Sequence, residues 1–162
     1  MTDKLYYTYD NIHQLIHNKT HQLKEFNPDF IIAIGGSGLI PGRIVRSYLN
    51  KPLLVVSLAS YNDENNENCK MEEIQWIDQD FSNKKILIVD EVDDTRATLK
   101  YCVERLIEKN NANFIGIFVV HNKIKQKVPL EDVVYYSGED IEDKWIVYPW
   151  DIIDTKRCSL NI

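Results

Sequence analysis

Residues 86–99 read ILIVDEVDDTRATL, an apolar run that ends abruptly in charged and hydroxyl side chains. The run Ile86–Val89 is continuous rather than alternating, which is typical of a strand covered on both faces of a parallel sheet. Beyond it, apolar residues recur at helical spacing, namely Leu99, Cys102, Val103, Leu106 and Ile107. The stretch therefore predicts a buried strand that passes into an amphipathic helix.

Four carboxylates stand at this junction. Asp90 and Glu91 directly end the strand, and Asp93 and Asp94 follow after one valine. Asp94 is placed as the N-cap of the helix, so the first backbone amides have no partners within the helix. We interpret those amides as a phosphate cradle. The side chains that would assist them are Thr95, Arg96 and Thr98.

The carboxylates suit two further tasks, since they can hold Mg²⁺ or accept hydrogen bonds from sugar hydroxyls. An alternative is an acidic helix start that is favoured only by the helix dipole. That alternative explains Asp93 and Asp94 but not Asp90 and Glu91, which end an apolar strand.

Other segments extend the pattern in both directions. Further apolar runs are Phe30–Ile34, Leu53–Leu58 and Ile115–Val120, and weaker strand candidates are Glu72–Ile77, Val133–Tyr136 and Lys144–Tyr148. Helical spacing occurs over residues 12–26 and from about Ile40 to Leu49. The alternation predicts an α/β fold with a mainly parallel sheet flanked by helices. Ligands of such sheets bind at the carboxyl ends of the strands.

A glycine-rich turn follows the first apolar run. Gly35, Gly36 and Gly38, with Ser37 between them, would let the backbone adopt positive φ and approach a ligand closely. Their amides, with the following helix N-terminus, suit an anion. A tight turn from strand to helix would also need glycine, so both interpretations stay open.

Composition sets limits on the function. The chain has 162 residues, which is about one domain. Lys and Arg number 19 against 25 for Asp and Glu, a net charge of −6 that argues against nonspecific nucleic-acid binding. No apolar run approaches the roughly 18 residues of a membrane span. The N-terminus lacks a signal peptide's apolar core. Three scattered cysteines fit a reducing cytosol, so we expect a cytoplasmic protein.

The quoted stretch resembles the phosphoribosyl-pyrophosphate-binding motif of type I phosphoribosyltransferases. The segment IIAIGGSGLIPGRI resembles the pyrophosphate loop of that family. Three more segments, QWIDQDFSNKKILIVDEVDDTR, GIFVVHNK and DKWIVYPW, resemble the compact fungal-type hypoxanthine-guanine phosphoribosyltransferases. The similarity runs in order from about Tyr6 to Asp151.

The resemblance implies the type I phosphoribosyltransferase fold in a single domain, 1–162, with a small hood formed by roughly 1–10 and 125–162. It implies a purine salvage enzyme that transfers ribose 5-phosphate from phosphoribosyl pyrophosphate to hypoxanthine or guanine and releases pyrophosphate. Mg²⁺ would be the cofactor, and the enzyme would be a homodimer or homotetramer.

Residue roles follow from the same resemblance. Asp94 would be the general acid/base, and Asp90 and Glu91 would hold the ribose hydroxyls and, with Asp151, the metal. The 5′-phosphate would lie on Asp94, Thr95, Arg96, Ala97 and Thr98. The pyrophosphate loop would be Gly35, Gly36, Ser37 and Gly38, with a cis bond between Ile34 and Gly35.

The purine would stack on Trp145 and meet the backbone of Ile146, and its O6 would be read by Lys123, with His121 as the open alternative. Ser60 and Tyr61 would belong to a flexible loop spanning Ser60 to Lys70 that closes over the site.

Alternatives remain at this stage. They are a xanthine-preferring enzyme, a nucleotide-binding regulator without turnover, and a Mg²⁺-dependent phosphotransfer domain. This chain also departs from the family in carrying Arg96 where most relatives have glycine and in having a short loop before Trp76.

Overall fold

A computed structural model describes residues 3–62 and 69–153. The strands are β1 (Lys4–Tyr6), β2 (Phe30–Gly35), β3 (Leu53–Asn62), β4 (Cys69–Gln75), β5 (Lys85–Asp93), β6 (Phe114–Ile124), β7 (Val134–Glu142) and β8 (Trp145–Val147). The helices are α1 (Tyr9–Phe26), α2 (Leu39–Leu49) and α3 (Ala97–Asn110), and a one-turn 3₁₀-helix spans Pro149–Asp151. Within this part of the chain, no helix is both long and apolar enough to cross a membrane.

The main sheet has six strands in the order β4-β3-β2-β5-β6-β7. Every neighbouring pair is parallel except β3 and β4, which form an antiparallel hairpin. The predicted α/β fold with a mainly parallel sheet is confirmed. Strand β2 lies at the centre, where Ala33 pairs with Val55 of β3 and with Val89 of β5. The chain thus reverses its direction of winding beside β2, and in open α/β sheets such a switch point is where ligands bind.

The continuous apolar runs are explained by two cores, one on each face of the sheet. On one face Ile32, Ile88 and Ile117 pack with the apolar stripe of α3. On the other face pack Ile31 and Leu87, which directly precede Ile32 and Ile88 in the chain, together with α1 and α2. Alternate side chains of a strand point to opposite faces, so a strand covered on both sides must be apolar at every position.

The hood is smaller than predicted. Strands β1 and β8 form a separate two-stranded parallel sheet, in which Leu5 pairs with Ile146. Strand β7 falls inside the range predicted for the hood, but it extends the main sheet beside β6. Residues 154–162, the last part of that range, lie outside the described residues.

The predicted loop from Ser60 to Lys70 is wrong at both ends. Ser60 and Tyr61 belong to β3, and Lys70 belongs to β4, because the two strands pair as far as Asn62 opposite Cys69. The tip of the hairpin, residues 63–68, lies outside the described part of the chain, so the predicted lid stays a prediction.

Candidate active site

The glycine-rich turn lies at the switch point, between the ends of β2 and β5. Within the described residues no glycine has a positive φ, so the conformational reason given for these glycines is wrong. Gly38 is required by space instead. A Cβ there would lie 2.5 Å from the carbonyl oxygen of Ile34 and 2.8 Å from that of Val89. The cis peptide bond joins Gly35 to Gly36 rather than Ile34 to Gly35.

Asp90 and Glu91 form a buried acidic pair at the end of β5. Asp90 is 7% exposed, and its Oδ1 accepts the Glu91 amide at 2.9 Å. Burial raises the pKa of Asp90 well above its usual range, and the neighbouring Glu91 carboxyl raises it further. Oε2 of Glu91 is also buried and has no hydrogen-bond partner among the described residues. Two close carboxylates with an unused oxygen suit a cation or a set of hydroxyl donors.

The predicted phosphate cradle is a tight turn that leads into α3. The helix begins at Ala97 with Arg96 as N-cap, so the prediction that Asp94 caps it is wrong. Arg96 has φ 70°, which turns the chain sharply and delays the helix by two residues. The amide of Lys100 donates to the Arg96 carbonyl at 2.9 Å, which makes it the first regular helical bond. The amide of Thr98 precedes that bond and can bind an anion, whereas the amide of Ala97 donates to Oγ1 of Thr95 at 3.4 Å.

Asp94 lies in a cluster of four charged side chains. Its Oδ1 is 2.8 Å from Nζ of Lys125, and its Oδ2 is 3.6 Å from Nζ of Lys123. Asp143, in the turn between β7 and β8, lies 2.8 Å and 3.4 Å from the same two ammonium groups. The hydrogen bonds of Asp143 and Asp94 raise the pKa of Lys125. The predicted acid/base and the predicted purine donor Lys123 are therefore brought together.

His121 lies behind this cluster rather than in it. Its ring is fully buried, and Nδ1 is 2.8 Å from the hydroxyl of Tyr148. That hydroxyl in turn donates to the carbonyl oxygen of Glu91 at 3.1 Å. Nε2 lies 3.6 Å from a carboxylate oxygen of Glu139, but burial dominates and lowers the pKa of His121 to about 4. Of the two alternatives for the purine O6, the geometry favours Lys123.

The remaining predicted contacts have separate positions. Trp145 is 62% exposed, so its ring is not part of either core. Ile146 lies beside it in β8 and is buried. Asp151 ends the 3₁₀-helix with an exposed side chain, and Ser60 is exposed in β3. Their assigned roles stay predictions.

Several residues at the site were missed. Lys125, Lys127, Tyr135 and Asp143 were not singled out, and Asp93 was explained only as part of an acidic helix start. The sequence does carry one signal for the lysines. Lys123, Lys125 and Lys127 recur every second residue, which in extended chain places them on one side. They line a basic cavity of about 370 Å³ together with Arg96, Asn122 and Ile124.

Comparison with known proteins extends these observations. The phosphoribosyl transferase domain family matches residues 3–154. Hypoxanthine-guanine phosphoribosyltransferase of Saccharomyces cerevisiae is 38% identical, covering 94% of this chain and 87% of that protein. Xanthine phosphoribosyltransferase 1 of the same yeast is 37% identical, covering 98% of this chain and 94% of that protein.

A solved structure is similar over the whole fold. The crystal structure of a hypothetical protein from Neisseria gonorrhoeae with bound ppGpp superposes with a TM-score of 0.85. It is 36% identical, and the match covers 98% of this chain and 94% of that one.

Proposed function

Because the chain belongs to the phosphoribosyltransferase family, we propose that it transfers ribose 5-phosphate from phosphoribosyl pyrophosphate to hypoxanthine or guanine, with release of pyrophosphate. The observation that carries this proposal is the juxtaposition of Asp94 with Lys123, 3.6 Å apart at the mouth of the site. A 6-oxopurine offers a nitrogen that must exchange a proton and a neighbouring carbonyl oxygen that accepts a hydrogen bond. A carboxylate beside an ammonium group complements that edge.

The donor would lie along the ends of β2 and β5. Its 5′-phosphate would accept from the amide of Thr98 and from that of Ala97 in place of the Thr95 hydroxyl, at the start of α3. Its ribose hydroxyls would donate to Asp90 and Glu91, and Oδ1 of Asp90 lies at the switch point, 3.1 Å from where a Cβ of Gly38 would be. Cleavage of the bond to pyrophosphate develops positive charge on the ribose, so buried carboxylates nearby favour the transition state electrostatically.

The purine would lie between the hood and the lysine cluster. Trp145 offers an exposed ring for stacking, and the backbone of the neighbouring Ile146 in β8 would contact the purine edge. Lys123 would donate to the purine oxygen, while Asp94 takes up or returns the proton of the reacting ring. Lys125 would keep Asp143 as its counter-ion when Asp94 turns to the purine.

The acidic pair fits a magnesium ion. Asp90 and Glu91 supply hard oxygen ligands, and Oε2 of Glu91 has no competing partner among the residues described. Within residues 3–62 and 69–153, no set of three or more metal-binding side chains is gathered at one place. Mg²⁺ typically uses one or two carboxylates and takes its other ligands from substrate oxygens and water, which suits a metal that enters with the donor. The bound ion would neutralise the charge of the departing pyrophosphate.

Two of the similar proteins suggest further ligands to test, namely xanthine and ppGpp. A xanthine phosphoribosyltransferase is nearly as similar as the hypoxanthine-guanine enzyme, so xanthine is the main competing base. The Neisseria protein binds ppGpp, a guanine nucleotide with additional phosphates. We propose that the basic cavity beside the site also accepts this nucleotide in competition with the donor.

The experiment is nucleotide formation from phosphoribosyl pyrophosphate and Mg²⁺ with hypoxanthine, guanine, xanthine and adenine offered separately. We expect turnover with hypoxanthine and guanine, loss of turnover when EDTA removes the metal, and inhibition by ppGpp that rising donor concentration relieves. Turnover of xanthine alone would move the assignment to the competing enzyme. Donor binding without turnover of any base would support the regulator instead. Light scattering of the same sample tests the predicted dimer or tetramer.

A further inference from the structure

Asp93, the last residue of β5, is a buried carboxylate with an uneven set of partners. Its side chain is fully buried, and Oδ2 receives all of the contacts. Arg96 approaches with Nε at 3.0 Å and Nη2 at 2.9 Å, Lys127 with Nζ at 3.1 Å, and the Tyr135 hydroxyl at 2.8 Å. Oδ1 has no partner in the described part of the chain. Burial and the Asp93 carboxylate raise the pKa of Tyr135, so its hydroxyl stays a donor.

Arg96 is held in an unusual conformation by this carboxylate. Its φ of 70° lies in the left-handed region, which costs a residue with a Cβ more than it costs glycine. The two guanidinium contacts with Asp93 and the stacking over the Tyr135 ring, 5.0 Å from the centroid, compensate for that cost. The arginine side chain is thereby drawn toward β7.

Lys127, in the segment that follows β6, holds the turn between β5 and α3. Its ammonium group donates to the backbone carbonyl of Asp93 at 2.9 Å and also bonds the side chain of Asn122. One residue further, the amide of Val128 donates to the carbonyl of Thr95 at 3.2 Å. The carbonyls on both sides of Asp94 are therefore anchored to the segment that follows β6. Asp94 and the phosphate cradle cannot shift without breaking these bonds.

We propose that Asp93 is a positioning residue, which fixes the phosphate cradle and Asp94 for catalysis through Arg96, Lys127 and Tyr135. The inference rests on the proposed function. In this arrangement Arg96 does not bind the phosphate; its guanidinium ties the left-handed turn to Asp93. A buried carboxylate and two cations carry a large desolvation cost. Such a cluster contributes by selecting one backbone conformation, which is what a preorganised anion site requires.

The substitution Asp93→Asn separates this inference from direct phosphate binding by Arg96. If Arg96 bound the phosphate, removing the competing carboxylate would free the guanidinium and tighten donor binding. If Asp93 holds the loop, the same change weakens donor binding, by about 3- to 30-fold for a network of this kind. Calorimetric titration of phosphoribosyl pyrophosphate with Mg²⁺ measures the sign directly. Tighter or unchanged binding would overturn the proposal.

A milder pair of variants covers the case in which Asp93→Asn does not fold. Tyr135→Phe removes one hydroxyl donor from Oδ2, whereas Tyr136→Phe removes a hydroxyl from the opposite face of the sheet, where Tyr136 packs against the other core. We expect Tyr135→Phe to raise the donor KM about two- to fivefold while Tyr136→Phe leaves it unchanged. A merely structural cluster would lower Tm in Tyr135→Phe without changing the donor KM of the folded enzyme, which would contradict the inference.

Arg96 provides a rescue test. Glycine adopts φ 70° freely, whereas alanine does not, and both lack the guanidinium. Arg96→Gly should therefore bind the donor several-fold more tightly than Arg96→Ala, and Arg96→Ala combined with Asp93→Asn should be less than additive. Equal losses in the glycine and alanine variants would assign the effect to the lost charge and overturn the positioning role.

Donor titration needs no purine, so failure of the proposed function can be distinguished from failure of the inference. If the unaltered protein binds the donor but no base turns over, the transferase assignment fails while the order of donor affinities still tests Asp93. If bases turn over and Asp93→Asn binds the donor normally, only the inference fails. A protein that does not bind the donor at all would contradict both.

Discussion

Asp90 and Asp93, at the end of β5, are almost inaccessible, whereas the residues that would face a purine include the largely exposed Trp145 and the half-exposed Asp94. Asp90 and Asp93 are 7% and 1% exposed, and Trp145 is 62% exposed. The buried residues contact one another through short hydrogen bonds within one turn and the segment behind it. The residues that would face a purine come from three separate segments, which are the turn after β5, the end of β6 and strand β8.

This difference indicates how binding and specificity are divided. A buried, hydrogen-bonded turn keeps its geometry before any ligand arrives, so the proposed donor site would be preorganised. The purine side is held by ion pairs that can exchange, since Lys123 and Lys125 each have two carboxylates within reach. Ion pairs of half-exposed carboxylates such as Asp94 and Asp143 rearrange at small cost. We therefore expect substitutions among the residues that face the purine to leave the buried turn undisturbed.

The substitution Asp94→Asn should lower turnover by removing the acid/base at the purine, while donor binding at the end of β5 stays intact. Asparagine keeps the shape of the side chain but cannot exchange a proton, and loss of a general acid/base lowers turnover about 10²- to 10⁴-fold. Donor affinity, measured by titration, should change much less. Asp143→Asn is the matched control, because Asp143 contacts the same two lysines. Equal losses in both variants would assign the effect to lysine placement rather than to proton transfer.

His121 contacts Tyr148, whose hydroxyl donates to the carbonyl of Glu91 near the end of β5. The pH dependence of stability tests whether the His121 ring is buried in its neutral form. The folded protein keeps this ring neutral down to a pKa of about 4, whereas an unfolded chain takes up the proton near 6.5. The unfolded state thus binds more protons between these values, so stability falls as the pH falls from 6.5 toward 4. The full contribution is about 3 kcal/mol.

Urea unfolding across that range checks the prediction against His121→Asn, which has no titrating ring. The variant should lose this part of the pH dependence while the contributions of Asp90 and the other carboxyls remain. Parallel curves for the two proteins would show that the His121 ring is accessible to protons in the folded state.

Much of the buried region could be predicted from the sequence. The four apolar runs became the central strands because burial on both faces requires apolar residues throughout, and this leaves a local pattern. The start of α3 could not be predicted in the same way. Its delay to Ala97 depends on Arg96 in a left-handed conformation, and that conformation depends on partners 34 and 42 residues away from Asp93.

The glycine turn shows the same limit. Three glycines in four positions predicted a close approach of the backbone to a ligand, whereas the space at Gly38 is limited by the Ile34 carbonyl and by Val89 and Asp90 of another strand. The sequence indicates which residues lack a side chain, whereas the sheet order decides what lies against them. The purine-side cluster likewise depends on β6 and the turn before β8 meeting at one edge.

Trp145→Ala tests whether an exposed ring affects purine binding without affecting donor binding. Stacking of a base on an aromatic ring contributes about 1–3 kcal/mol, so the purine KM should rise about 5- to 150-fold. The donor KM and Tm should stay unchanged, because the ring makes little contact with the fold. Trp150→Ala is the control with the opposite expectation. Its ring stacks on Tyr148 at 4.7 Å, so Tm should fall. A rise in donor KM for Trp145→Ala would show that the purine-binding and donor-binding residues are coupled, which would contradict their separation.

The smallest effect is expected at the β3–β4 hairpin, a third region that lies apart from both sides. Glu73 of β4 accepts from Arg105 at 2.5 Å, Lys109 at 2.5 Å and the Tyr101 hydroxyl at 3.3 Å, which fastens the hairpin to α3. Glu73→Gln should cost about 1 kcal/mol of stability, less at high salt, with turnover within about twofold of the unaltered enzyme. Glu108→Gln, which removes an exposed partner of the same arginine, should cost less than half as much. Chemical denaturation and steady-state kinetics measure both quantities. A large drop in turnover without a loss of stability would place the hairpin in the catalytic cycle, because α3 begins at the phosphate cradle and would transmit a shift at its far end.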